Sequence, residues 1–140
     1  IKKNSTHENL EILMKVADAV AFAHSRDVIH RDLKPENVML GDFGEVLVMD
    51  WGLALATASF RHSEFVTGPD SMGGTPAYLA PEQFHGRRGD AASDQFAYCV
   101  TFFEALWGER PFEGSTAAES SPKANGCRRL GSRWPAAPNQ

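Results

Sequence analysis

The stretch His30-Arg31-Asp32-Leu33-Lys34-Pro35-Glu36-Asn37 puts five ionisable side chains and an amide into eight positions. Pro35 cannot continue a helix and pushes Lys34 towards extended geometry, so the segment is a loop, and one with too many charges to be filler. Upstream, Ser5 stands three residues before Glu8, followed by apolar residues at Leu10, Leu13, Val16, Ala17, Val20 and Ala23. That is a capping box leading into a 3.6-residue period, and it predicts a helix from about Thr6 to Ser25, with Val28 and Ile29 as a short apolar step before the loop. Downstream, Val38-Met39-Leu40 and Val46-Leu47-Val48-Met49 read as two short strands joined by the turn-forming run Gly41-Asp42-Phe43-Gly44-Glu45. The pair is a hairpin.

From Asp50 to about Glu82 the chain has Gly, Ser, Thr and Pro throughout and no sustained period, which predicts a long loop of the length usually kept for function or disorder. Ser93 is expected to cap a second helix with apolar positions Phe96, Ala97, Val100, Phe103, Leu106 and Trp107, dense enough for burial on most sides, ended by Gly108 and Pro111. Residues 117–140 offer only Leu130, Trp134 and Cys127 as sizeable apolar groups, with Pro122, Pro135 and Pro138 interspersed, and are expected to be an unpatterned, disordered tail.

The 140 residues amount to one ordinary domain, with 42% hydrophobic and 23% charged side chains, which excludes collagen-like, wholly disordered and disulfide-rich secreted classes. The longest apolar-looking stretch, Ile12 to His24, is broken by Lys15 and Asp18, so no membrane segment is expected in this chain and the expected location is the cytoplasm. A net charge of -4 argues against a nucleic-acid partner. The sign is uneven: residues 1–116 carry net -7, whereas 117–140 carry Lys123, Arg128, Arg129 and Arg133 against Glu119 alone, which marks a boundary between 116 and 117. Cys99 and Cys127 have no CxxC spacing and the five histidines (His7, His24, His30, His62, His85) form no HExxH or close Cys/His set, so a zinc site has no basis.

The loop 30–37 resembles the catalytic loop of protein kinases, in the form with Lys two residues after the Asp that marks serine/threonine kinases. Phosphoryl transfer to a hydroxyl needs a carboxylate within reach of that hydroxyl, a cation against the phosphate oxygens and oxygen ligands for Mg²⁺. The resemblance assigns these to Asp32 as base, Lys34 on the transferring phosphate and Asn37 on the metal. The literal Asp42-Phe43-Gly44 spells the family's metal-binding motif but lies inside the hairpin turn. Asp50-Trp51-Gly52, after the second strand, is the better match. Asp50 is then the principal Mg²⁺ carboxylate, and Trp51 fills the slot where the family's Phe packs, its larger ring bearing on how freely that segment flips to an inactive form.

Gly74-Thr75-Pro76-Ala77-Tyr78-Leu79-Ala80-Pro81-Glu82 is similar to the end of a kinase activation segment, which implies that Thr75 contacts Asp32 and Lys34 in the substrate-docking turn. Thr67 and Ser71 are then the candidate activating phosphosites, with Arg31 as the phosphate's partner. Ser93-Asp94-Gln95-Phe96-Ala97 resembles the start of the central buried helix of the large lobe, whose Asp holds the catalytic-loop backbone. His30 belongs to the same loop motif, and Glu36 lies where some members recognise a basic substrate residue.

The resemblance covers about residues 8–115. It implies an α+β, protein-kinase-like fold: a mainly α-helical C-terminal lobe in part, with a short β-hairpin and without the small lobe. The implied function is that of a bacterial-type serine/threonine protein kinase, partial, transferring the γ-phosphoryl group of ATP to a protein Ser or Thr hydroxyl, with Mg²⁺ or Mn²⁺ as cofactor. The 140 residues contain no Gly-x-Gly-x-x-Gly strand-turn-strand, no Val-Ala-x-Lys strand and no convincing arginine for Glu82, so the chain by itself is expected to be nearly inactive. Residues 1–116 then form the partial kinase domain, and the tail has the pattern that a frameshift or fusion would produce. A non-catalytic kinase-like scaffold and a non-functional gene fragment are the alternatives; retention of Asp32, Lys34, Asn37 and Asp50 together counts against the scaffold, which has no physical need for metal ligands. A membrane anchor elsewhere in a full-length parent stays open.

Overall fold

The computed structural model describes residues 4–56 and 73–112. Helix α1 spans Thr6–Ser25, and both halves of its capping box form: the Ser5 hydroxyl accepts from the Glu8 amide and the Glu8 carboxylate accepts from the Ser5 amide. Strand β1 (Val28–Ile29) leads into the charged loop, where Pro35–Asn37 make a single 3₁₀ turn. Strands β2 (Val38–Leu40) and β3 (Val46–Val48) pair antiparallel in the register Val38 with Val48, Met39 with Leu47 and Leu40 with Val46.

The turn of this hairpin contains Asp42-Phe43-Gly44, with Gly44 at φ 83° and the Phe43 ring 93% exposed. Lys15 of α1 reaches across to donate to the Gly44 carbonyl at 2.8 Å. The motif-like spelling therefore sits at a solvent-facing turn tied to the first helix. Met49, the last residue of the expected second strand, lies outside β3: its amide donates to the Asn37 carbonyl (2.7 Å) in the hairpin's register, but the Asn37 amide turns away to the Lys34 carbonyl (3.0 Å) and leaves the pair half-bonded.

The segment after Asp50, expected to be a long loop, contains short elements in its described parts. Trp51–Leu53 form a 3₁₀ turn, and strand β4 (Leu55–Ala56) pairs antiparallel with β1, setting Ile29 opposite Leu55. Two further 3₁₀ turns, Pro76–Tyr78 and Gln83–His85, precede helix α2 (Ala91–Trp107). The cap of α2 is Asp90 rather than Ser93: the Asp90 carboxylate accepts from the Ser93 amide, and Ser93 at the third helical position reciprocates through its hydroxyl. Gly108 ends the helix at φ 73°, a left-handed cap that costs glycine little.

The core lies where α1, α2 and the two loops meet. Val16 and Val20 of α1 pack with Leu33 of the charged loop, Ala77 and Tyr78, and Ala97 and Val100 of α2. Helix α2 is less enclosed than its apolar density suggests, since Phe96, Phe103, Leu106 and Trp107 are only half-buried. Large apolar side chains stand exposed on α1 (Met14, Phe22) and on the hairpin (Met39, Leu40, Leu47). Among the described residues no helix is long and apolar enough to cross a membrane. Thr67, Ser71 and the basic tail lie outside the described residues.

Candidate active site

Leu33, with no exposed surface, anchors the charged loop in the core while its neighbours turn their polar groups towards one another. The Asp32 carboxylate is 8% exposed. Its Oδ1 accepts from the Thr75 amide (2.8 Å) and the Thr75 hydroxyl (2.7 Å), and its Oδ2 faces Lys34 Nζ at 2.9 Å. Lys34 Nζ also donates to Thr75 Oγ1 at 2.7 Å. Carboxylate, hydroxyl and ammonium thus form one closed triangle, although Thr75 comes from a segment more than forty residues away. Gly74 makes that approach possible: it sits at φ 116°, and a Cβ there would lie 2.7 Å from Leu79 Cδ2 and 2.8 Å from the Arg31 carbonyl.

Burial pushes the Asp32 carboxyl up, but the hydrogen bonds from Thr75 and Lys34 and the Lys34 charge outweigh it and hold the group below the ordinary aspartate range. The ionised form is the one these bonds stabilise, so its contribution to stability is complete above that range and is lost as pH falls through the lowered folded value. Comparing the unfolding midpoints of wild type and Asp32→Asn across pH is expected to show a gap that is constant near neutrality and narrows below about pH 4. A gap that widens on acidification would contradict this reading of the site.

Asn37 is buried behind Asp32, and its amide nitrogen donates to the Asp32 carbonyl (2.7 Å) and more weakly to Oδ2 (3.3 Å). With the nitrogen committed, the side-chain oxygen is left as an acceptor for something else. His30, fully buried, accepts from the Asp32 amide through Nδ1 (3.2 Å), which places its proton on Nε2, and Nε2 donates to the Met49 carbonyl at 2.9 Å. The residue after Met49 is Asp50, so His30 couples the charged loop to the following turn. Asp50 is exposed and left-handed at φ 59°, and Trp51 sets its ring edge against His30 with centroids 4.5 Å apart.

Beneath the loop, Asp94 of α2 is 1% exposed and accepts three hydrogen bonds of 2.8 Å, from the His30 amide, the Arg31 amide and His24 Nε2. Arg31 takes a left-handed backbone at φ 71°, a conformation that persists only where surrounding contacts over-determine it. Its side chain is buried and donates to the Leu53 carbonyl at 3.5 Å. Burial lowers its pKa, nearby Arg88 adds to that, and Asp94 opposes it.

Asp32, Lys34, Asn37 and Thr75 are thus in direct contact, with His30, Arg31 and Asp94 behind them and Asp50, Trp51 and Gly52 on the adjoining turn. Glu82 stands apart, half-buried and in no ion pair among the described residues. Glu36 is exposed. The sequence reading missed His24, whose place at the end of α1 carries no local signal of a partner seventy residues on. It also missed the bond from the Tyr78 hydroxyl to Glu104 (2.5 Å), where burial first and then Glu104 push the phenol's pKa up.

The protein kinase domain family matches residues 2–132, nearly the whole chain and the first part of the basic tail. The chain belongs to that family. Within it, the chain is similar to serine/threonine-protein kinase PknD of Protochlamydia amoebophila, with 37% identity over 123 residues, covering 79% of this chain and 12% of the relative. It is also 39% identical over 110 residues to the probable serine/threonine-protein kinase PknB of Lactococcus lactis (79% of this chain, 17% of the relative). A third relative, PrkC of Bacillus subtilis, is 35% identical over 116 residues (83% and 17%). The chain therefore spans between 12% and 17% of the length of these kinases.

Kinases of this family work with ATP and Mg²⁺. The donor chemistry of the chain fits such a cation: the Asn37 side-chain oxygen and the exposed Asp50 carboxylate are hard oxygen ligands, and neither takes up a hydrogen bond among the described residues. Among the described residues no cluster of three or more His, Cys, Asp or Glu could enclose a metal. Two protein oxygens suit Mg²⁺, which is usually held by one or two side chains together with phosphate oxygens and water.

Proposed function

We propose that the described residues are the catalytic-loop region of a kinase large lobe and that they carry the transfer of the ATP γ-phosphoryl group to a Ser or Thr hydroxyl of a protein. The observation that carries this reading is the Asp32 carboxylate, kept ionised by Thr75 and Lys34 and backed by Asn37. Asp32 accepts the proton of the acceptor hydroxyl, and its bonds to Thr75 aim it. Lys34 places a positive charge against the phosphate oxygens as negative charge develops there. Asn37 and Asp50 would hold Mg²⁺, which when bound with ATP neutralises the phosphates and orients them for in-line transfer. Asp94 keeps the loop backbone in register by its two amide bonds. On this reading residues 1–116 form the kinase portion and 117–140 a basic appendage.

Because phosphoryl transfer is mostly positioning and charge stabilisation, the 140 residues alone, without a glycine-rich strand pair over the phosphates, are expected to turn over only in trace amounts. A phosphotransferase assay on the purified chain tests this. Robust transfer that Asp32→Asn abolishes would overturn the view that further parts are needed, while leaving the role of Asp32 intact.

Arg31 is proposed to pair with a phosphate on Thr67 or Ser71. In support, its Nη2 lies 3.6 Å from the point a Cβ on Gly73 would occupy, beside the returning segment. A doubly charged phosphate there would form charge-assisted bonds and order that segment. Thr67→Ala combined with Ser71→Ala in the full-length protein is expected to lower activity at least about tenfold, the scale of one such contact. Unchanged activity with unchanged phosphate content would refute the assignment.

A further inference from the structure

We infer that Trp51 is a positioning residue for Asp50, acting through the hydrogen bond its indole donates to the chain before Asp50; this rests on the reading of Asp50 as the metal carboxylate. Asp50 has φ 59° and ψ 65°, the left-handed region that residues with a Cβ enter seldom, Asp and Asn more readily than the others. Its side chain is exposed and makes no capping bond to the turn Trp51–Leu53 that follows. The constraint must come from its neighbours, since a disfavoured backbone persists only where the surroundings over-determine it.

Two sets of contacts flank it. On the N-terminal side Met49 is fixed at both polar groups, its amide on the Asn37 carbonyl (2.7 Å) and its carbonyl under His30 Nε2 (2.9 Å). On the C-terminal side Trp51 Nε1 reaches back to the Val48 carbonyl at 2.9 Å, while the Ala54 amide closes the turn on the Trp51 carbonyl, also at 2.9 Å. The indole bond therefore spans Asp50 and closes a small ring of chain, Val48 to Trp51, with Asp50 at its tip. The same ring meets His30 edge-on, and His30 bonds the Asp32 amide. A side chain after Asp50 is thus braced against both the strand before it and the loop that carries the proposed base. A phenyl ring could keep the contact with His30 but has no N–H to give Val48.

The test uses the 140-residue chain, Mn²⁺ alone as probe, and three variants: Asp50→Asn, Trp51→Phe, and Trp51 replaced by β-(3-benzothienyl)alanine, which keeps the ring's size and loses only its N–H. The amide signals of Gly52 and Asn37 are followed by NMR for paramagnetic broadening, with the Trp107 indole as a remote control and the thermal midpoint as a check on folding. Asp50→Asn is expected to remove the broadening. Both Trp51 variants are expected to need about 3- to 10-fold more Mn²⁺ for half-broadening, the worth of one hydrogen bond, with Trp107 unaffected. If the benzothienyl variant titrates like wild type while Asp50→Asn abolishes broadening, the role of Trp51 is overturned and the Asp50 reading stands. If Asp50→Asn leaves the broadening unchanged, the metal reading fails and the inference falls with it. Should Trp51→Phe lower the thermal midpoint, the size-matched variant alone decides.

Discussion

Replacing Asp94 with alanine is expected to lower the unfolding midpoint of the chain by more than about 10 °C. The carboxylate is buried at 1% exposure and accepts from the His30 and Arg31 amides and from His24. Alanine would strand two buried backbone N–H groups, each costing about 1–3 kcal/mol. It would also release Arg31 from a left-handed backbone that nothing local favours. A total near 3–5 kcal/mol matches the cost of breaking a buried charged network, and each kcal/mol moves the midpoint of a small domain by roughly 4–8 °C. Asp94→Asn should fall between, because its amide can accept on one side only and presents a donor to a donor on the other. Circular dichroism melts of the three proteins check the order; an alanine variant within about 2 °C of wild type would show that the loop is held by other contacts.

Asp32→Asn is expected to reduce turnover by about 10²- to 10⁴-fold in the full-length protein that carries these residues, the range attributable to a positioned proton acceptor. The amide is nearly the same shape and can still receive the Thr75 bonds through its oxygen, but its NH2 group faces Lys34 Nζ donor to donor, and it cannot take up a proton. Thr75 should therefore stay in place and Lys34 should keep its bond to Thr75 Oγ1 alone, and nucleotide affinity should change by less than about threefold, well under the loss in turnover. Parallel measurement of kcat and nucleotide binding separates the two. Equal losses in both would mean that Asp32 is needed to assemble the site and leave its part in the chemistry unsupported.

What the sequence disclosed followed from how local each signal is. Ser5 and Glu8 announce α1 three residues apart, and the helix ends where its apolar period does. The hairpin was legible because its turn residues separate two short apolar runs, which also told the exposed Asp42 turn apart from Asp50. Strand β4 was not legible: two residues cannot show a period, and its partner lies across the whole charged loop. Near Asp90 several residues could cap a helix, and only the reciprocal bonds between Asp90 and Ser93 decide among them. The site divides in the same way. Asp32, Lys34 and Asn37 share one loop and were visible together, whereas the hold of His24 on Asp94 and of Tyr78 on Glu104 exists only after the two helices and the 3₁₀ turns have packed.

The central claim is that Asp32 serves phosphoryl transfer to a hydroxyl. The most direct measurement incubates the full-length protein carrying these residues with γ-labelled ATP, Mg²⁺ and a protein acceptor, then identifies the phosphorylated amino acids. The account predicts phosphoserine or phosphothreonine from wild type and almost none from Asp32→Asn. Labelling at the wild-type rate by Asp32→Asn, or label carried on a group other than a hydroxyl, would contradict it.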